Sequence, residues 1–411
     1  MHHERRGARC RNRDVRLDSG AVLQAFRVRV TVFRLTFEHA VRDDTAVQTT
    51  TLDADAQPAS FPVPLRIVTE FPRGRIPPPT VLDGPLFSTL MIPMRRGGTV
   101  LEVDGPVTAA ALRNAQAFQE AFASMLPGYL GVVKIVPREV VAGPSDRGGA
   151  AVVAFSGGLD STFTLIRHAK KILGDGSYPI THALMIHGLD IRRSKPGVFD
   201  KLRKHVAPLL DELGVELIIA RSNVRNPLPE APKVQVQPYA YSQAAQIAGI
   251  LHVLPEDRFS YGVIGSTEPY HNLLMPWGSN PATDYLLSND RFSMAHDGAA
   301  FTRCEKAALV AEHPTALRTL RVCLRQVGGN CGLCEKCVRT RLNLMAVGVH
   351  NPPCFDQPFH DDMIEAIALW HPRILFEANW IISYAEAAGI SAPWLDRLRR
   401  KAAALSEPSA G

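Results

Sequence analysis

Residues 150–173 read AAVVAFSGGLDSTFTLIRHAKKIL, and the break at Ser156-Gly157-Gly158 decides how the chain folds. Ala151 to Phe155 is a short, continuously apolar and partly β-branched run, the pattern of a strand buried on both faces. Leu165 to Ile172 patterns as an amphipathic helix with Arg167, Lys170 and Lys171 toward water. Between the two, Gly157 and Gly158 allow a tight turn and a close approach of backbone to ligand. Such a turn aims N–H groups and the positive end of a helix dipole at one point, which suits phosphate. Ser156, Ser161 and Thr162 add hydroxyl donors, and Asp160 is a carboxylate suited to holding Mg²⁺ between phosphates.

Two familiar phosphate loops are excluded. The Gly-Lys-[Ser/Thr] ending of a Walker A loop is missing. The dinucleotide fingerprint needs three glycines spread over six positions, and only two stand here. Two serines and an aspartate around Gly-Gly also exceed what a plain strand–turn–helix junction requires.

Downstream, ITHALMIHGL (180–189), VELIIAR (215–221) and FSYGVIGS (259–266) read as strands. FDKLRKHVAPLLDELG (199–214) and AYSQAAQIAGILHVL (240–254) between them read as helices. The alternation predicts an α/β fold with a doubly wound parallel sheet, whose ligands bind at the carboxyl ends of the strands. Upstream, QAFRVRVTVFRLTF (24–37), LFSTLMIPM (86–94), VLEVDGPV (100–107) and GVVKIVP (131–137) read as strands, and 108–126 as an amphipathic helix. Residues 20–141 are therefore expected to form a small α+β domain of unassigned role, with a proline-rich polar loop over 53–81. Its linker is expected at AGPSDRGG (142–149). The phosphate-loop domain would run over 150–320, a metal-binding segment over 321–350, and a helical extension over 351–411.

The metal segment is RVCLRQVGGNCGLCEKCVRT (321–340), which sets Cys323, Cys331, Cys334 and Cys337 in a C-x7-C-x2-C-x2-C array. Four thiolates this close can surround one tetrahedral ion, and Zn²⁺ suits them as a structural metal. An iron–sulfur cluster takes the same ligands and stays open at this point. Cys10, Cys304 and Cys354 stand apart and read as ordinary thiols.

The 411-residue chain carries a net charge of +6, and six arginines fall within residues 1–16. Residues 1–19 are read as a basic tail, and the remainder is close to charge-balanced, which argues against a dedicated nucleic-acid surface without excluding nucleic acid. Residues 1–16 lack an apolar core of the signal-peptide kind, and no run approaches 18 uninterrupted apolar residues. Seven cysteines, an odd number, do not make a secreted disulfide framework. A cytoplasmic location without membrane attachment is the expectation, and a homodimer is left open.

Together the Ser-Gly-Gly-x-Asp-Ser loop and the four cysteines resemble the N-type ATP pyrophosphatase (PP-loop) superfamily, and more narrowly the 7-cyano-7-deazaguanine synthase family. TRCEKAALVAEHPTALRTLRVC (302–323) is similar to that family's helix leading into its first zinc cysteine, with Lys306 at the family's lysine. The resemblance covers about residues 150–350. It implies a PP-loop (HUP-like) fold that binds ATP through Phe155, Ser156, Gly157, Gly158, Leu159, Asp160, Ser161 and Thr162, with Asp160, Ser161 and Lys306 catalytic. It also implies the cofactors ATP, Mg²⁺ and structural Zn²⁺, and an AMP-forming carbon–nitrogen ligase. Such an enzyme adenylates a carboxylate, on a small molecule or a macromolecule, releases pyrophosphate, and lets ammonia or a partner-delivered amine displace AMP. A 7-deazaguanine-type acceptor fits the narrower likeness.

The recognition side departs from the family. Ile186-His187-Gly188-Leu189 stands where the family has Asp-Tyr-Gly-Gln, and Pro238-Tyr239 where it has Arg-Asn. TEPYHNLLMPWGSNPATDY (267–285) replaces the family's substrate-side region, making Glu268, His271 and Asp284 candidate acceptor contacts. tRNA thiolation by a PP-loop sulfurtransferase and a non-catalytic ATP-binding module are the alternative functions.

Overall fold

A computed structural model describes residues 31–58, 61–72, 76–95, 99–143, 148–228, 238–255, 257–323, 325 and 328–406. The basic tail 1–19, the strand pattern over 24–30 and linker positions 144–147 lie outside the described residues. The unit from Thr31 onward opens with β1 (Val32–Arg42), β2 (Thr45–Ala54) and β3 (Leu65–Pro72), then helices α1 (Asp83–Thr89) and α2 (Met91–Met94). β4 (Val100–Thr108), α3 (Ala109–Met125) and β5 (Lys134–Val141) follow.

From the quoted stretch onward come β6 (Ala150–Ala154), α4 (Leu159–Ala169), β7 (Ile180–His187), α5 (Pro196–Leu213), β8 (Glu216–Ser222), α6 (Tyr239–Leu251), β9 (Phe259–Gly265) and β10 (Ser293–Asp297). The chain continues through α7 (Arg303–Ala311), α8 (Pro314–Thr319), α9 (Glu335–Ala346), α10 (Pro372–Ala387) and α11 (Pro393–Ser406).

Among the described residues the ten strands form one sheet in the order β10-β9-β6-β7-β8-β3-β2-β1-β4-β5. The five strands from β6 to β10 are mutually parallel, with β6 central between β7 and β9. Successive connections therefore leave β6 in opposite directions, and its carboxyl end is the switch point where open α/β sheets bind ligands. The Ser-Gly-Gly turn stands there.

Three expectations need correction. Residues 86–94 are helical, not a strand: Leu86, Phe87, Leu90, Met91, Ile92 and Met94 are all buried, so no alternation marks their period, and Pro93 has no ladder N–H to give. The proline-rich stretch 53–81 contains β3, whose Leu65, Ile67 and Phe71 point into the core.

The second error hides a larger one. β3 pairs antiparallel with β8 (Thr69 opposite Ser222), so residues 31–141 join the parallel sheet instead of forming a separate domain. One apolar cluster runs from Phe33 and Phe71 through Leu184 and Ala248 to Met294. At Thr69 and Glu70, β3 covers the carboxyl end of the open edge of β8. A second cluster, under α4, α5, α7 and α8, fills the other face. α9, α10 and α11 bury a third, so the expected helical extension is present, though Trp370 is 76% exposed. Among the described residues no helix is long and apolar enough to cross a membrane.

Candidate nucleotide site and metal centre

α4 begins at Leu159, six residues earlier than its amphipathic pattern starts, so Asp160 and Ser161 lie in its first turn. Gly157 adopts φ +74°, a left-handed conformation that glycine adopts without a side-chain penalty. The loop is held by its own serines. Ser156 N–H donates to Ser161 Oγ at 3.3 Å, Gly158 N–H to Ser156 Oγ at 3.3 Å, and Ser161 Oγ–H to the Gly158 carbonyl at 3.2 Å. Bonds at the long end of the range are weak and readily exchanged for an anionic acceptor.

Asp160 is ringed by cations. Arg303 Nη2 lies 3.1 Å from Oδ2, and Lys306 Nζ lies 3.4 Å from Oδ1. Burial pushes the carboxyl upward, but Arg303, Lys306 and Lys336 together outweigh it and hold the pKa at about 2. The sequence places these cations by ordinary helix rules. Thr302 and Glu305 form a reciprocal capping box that starts α7, and Arg303 and Lys306, three apart, share the face turned to Asp160. Lys306 is fully buried and also donates to the Ser266 carbonyl at 2.5 Å; burial lowers its pKa.

The helical extension contributes too, which the sequence reading missed. Glu377 on α10 accepts from Arg303 at 2.7 Å, from Asn343 at 2.8 Å, and from Arg339. Burial opposes its ionisation, yet Arg303 and Arg339 hold its pKa at about 2. Arg373, one turn earlier, meets Glu268 at 3.3 Å. The available signal was two opposite charges four apart in a largely apolar helix.

The three candidate acceptor contacts separate. Glu268 lines a narrow, closed crevice with Ser266, Leu273, Trp277, Asn280 and His296, and burial raises its pKa despite Arg303 and Arg373. His271 is exposed and packs its ring against Phe376 and Trp380 of α10. Asp284 is fully buried; it accepts from Ser279 Oγ at 2.7 Å, the Asn280 N–H at 3.0 Å and His296 Nδ1 at 2.8 Å. The residue that Asp284 presents to the cleft is His296, which carried no sequence signal of its own.

The four cysteines converge as expected. Their sulfurs all lie within 4.8 Å of one another, with 3.9 Å between Cys323 and Cys334 and between Cys331 and Cys337. Zn–S bonds of about 2.3 Å around one tetrahedral ion put the sulfurs about 3.8 Å apart, so the set could hold zinc. Arg325 N–H and Cys334 N–H each point at a sulfur at 3.3 Å. Asn330 ties the knuckle together, accepting from Val322 and Cys323 N–H and donating to the Leu320 and Cys354 carbonyls. A hydrogen bond to Cys334, burial and neighbouring sulfurs all raise the Cys337 thiol, as expected where negative charge accumulates without a cation.

Compared with protein-family models, curated proteins and solved structures, the chain matches none. The functional reading therefore rests on the site.

Proposed function

We propose that the loop at 155–162 holds the phosphates of Mg·ATP and that the chain is a PP-loop, AMP-forming carbon–nitrogen ligase. One observation carries the reading. A Ser-Gly-Gly turn at the switch point of a parallel sheet faces a half-buried carboxylate flanked by two cations on one helix. Loop amides, serine hydroxyls, Arg303 and Lys306 make a cradle for the β- and γ-phosphates as one leaving group. Mg²⁺ at Asp160 would neutralise charge on that group. Lys306, fixed between Asp160 and the Ser266 carbonyl, stands between this cradle and the Glu268 cleft, where the acceptor carboxylate would lie.

The four cysteines would hold structural zinc, because four protein ligands leave no open position for water. Their close spacing favours one ion over an iron–sulfur cube, in which each cysteine binds a different iron and the sulfurs stand farther apart. That spacing weighs against the sulfurtransferase reading. A 7-deazaguanine-type carboxylate is the acceptor to try first, on the likeness of loop and knuckle.

Equilibrium titration tests the loop. Wild type should bind Mg·ATP, and Asp160→Ala should bind it at least about tenfold more weakly. Equal affinity in both proteins would count against this assignment.

A further inference from the structure

The cleft beside the loop contains a histidine that the account above does not use. His296 stands near the carboxyl end of β10, opposite Ile264 of β9. Its side chain is only 6% exposed, and its Nδ1 lies 2.8 Å from Asp284 Oδ2. Asp284 cannot swing away, because Ser279 Oγ and the Asn280 N–H also hold it. Held against a carboxylate oxygen, Nδ1 is placed to donate, which turns the other ring nitrogen, Nε2, away from Asp284. Nε2 is buried and has no partner among the described residues. A buried ring nitrogen without a partner, beside a crevice that is closed in this structure, is a polar group still in need of one.

The surroundings suit a proton acceptor. Asp284 faces Nδ1, and Glu268 shares the cleft but is paired with Arg373 at 3.3 Å. Asp297, next along the strand, is turned to the other face, where it accepts from Thr164 and pairs with Arg167. Trp277 Nε1, also buried without a partner, adds a donor to the same cleft. Ser266 joins the two halves of the site, lining the cleft with its residue and taking the Lys306 ammonium on its carbonyl.

We propose that His296 is the base of the amine-transfer step, with Asp284 as its positioning residue; this rests on the ligase reading. The amine nitrogen attacks the acyl carbon of the adenylate and a C–N bond forms. The C–O bond to the AMP phosphate breaks, its electron pair leaves with the phosphate, and the surplus proton on nitrogen passes to His296 Nε2. No oxidant or reductant takes part.

Two measurements on the full chain test this. Ring-nitrogen NMR near neutral pH, with the signal assigned by difference from His296→Gln, should show an Nδ1-protonated, Nε2-unprotonated ring. An Nε2–H tautomer overturns the proposal. Kinetics then separate the half-reactions, with 7-carboxy-7-deazaguanine and ammonium as probes. In His296→Gln, ATP–pyrophosphate exchange should persist within about threefold, while amide formation falls roughly 100-fold. Asp284→Asn should lower transfer by a smaller factor than His296→Gln. Equal loss of both half-reactions, or undiminished transfer to ammonium, overturns the role of His296. Absence of exchange in wild type is a different result: it sinks the ligase reading, and the base assignment with it.

Discussion

The main-chain N–H of Arg321 donates to the carbonyl oxygen of Gly157 at 2.8 Å. Arg321 stands two residues before Cys323, so the cysteine knuckle is tied to the glycine of the Ser-Gly-Gly loop by backbone. A side chain at Gly157 would meet Val206 at 3.0 Å in addition to straining the left-handed turn. The two motifs, separated by more than 160 positions in sequence, form one assembly.

Metal loss should therefore reach the loop. Protein purified with zinc should contain one ion per chain and be colourless. Chelation, or Cys334→Ser, should lower both thermal stability and Mg·ATP affinity, since metal binding is coupled to local folding. Calorimetry and nucleotide titration on the same samples check this. Unchanged nucleotide affinity in metal-free, folded protein would separate knuckle from loop.

The ion-pair network predicts acid sensitivity. Asp160 and Glu377 both have pKa values held at about 2, below their ordinary values of 3.8 and 4.5. Groups with depressed pKa stabilise the fold above their unfolded values, and that contribution is lost as pH falls through the folded values. Each is worth on the order of 2–3 kcal/mol, lost between about pH 4.5 and 2. Denaturant unfolding across that window should show a smaller pH dependence in Glu377→Gln than in wild type. An identical slope would mean Glu377 titrates normally.

Asp83 makes a contrasting, purely structural prediction. It is fully buried and accepts from Thr108 N–H at 2.9 Å, Thr108 Oγ at 2.7 Å and Asn289 Nδ2 at 2.7 Å. Asp83→Ala leaves three buried donors without their acceptor and should cost about 3 kcal/mol. Nucleotide affinity of the folded fraction should not change. A loss below about 1 kcal/mol, within the effect of an ordinary substitution, would contradict the burial argument.

Gly188 is a backbone requirement. It ends β7 at φ +125°, and a Cβ there would come within 1.7 Å of the Ser222 carbonyl oxygen. Gly188→Ala should destabilise the chain more than Gly149→Ala, where an added Cβ meets nothing within 4 Å. Comparable unfolding midpoints for the two variants would show that the β7–β8 approach yields at little cost.

Local chemistry made much of this readable in advance. The apolar run before Gly157, the glycine turn and the cysteine spacing each state a constraint within a few residues, and each stands where it was expected. The union of the N-terminal strands with the main sheet was not readable. β3 pairs along its whole length with β2 and reaches β8, some 150 positions away, only through Thr69 and Glu70, while its neighbouring prolines argue locally for a loop. The helical pair at 86–94 failed for a related reason, since burial on all sides erases periodicity. His296 and Glu377 were missed because a lone histidine in a strand and an Arg–Glu spacing common on solvated helix faces acquire meaning only from their partners in the fold, Asp284 and Arg303.

The central claim is that ATP is split between its α- and β-phosphates at this loop. Product analysis of ATP labelled in the α- and γ-phosphates tests it directly, using zinc-loaded protein, Mg²⁺, ammonium and a panel of carboxylates that includes 7-carboxy-7-deazaguanine. The account predicts AMP and intact pyrophosphate in equal amounts from wild type, and neither from Asp160→Ala. Release of ADP and phosphate by wild type, or undiminished AMP and pyrophosphate from Asp160→Ala, would contradict it.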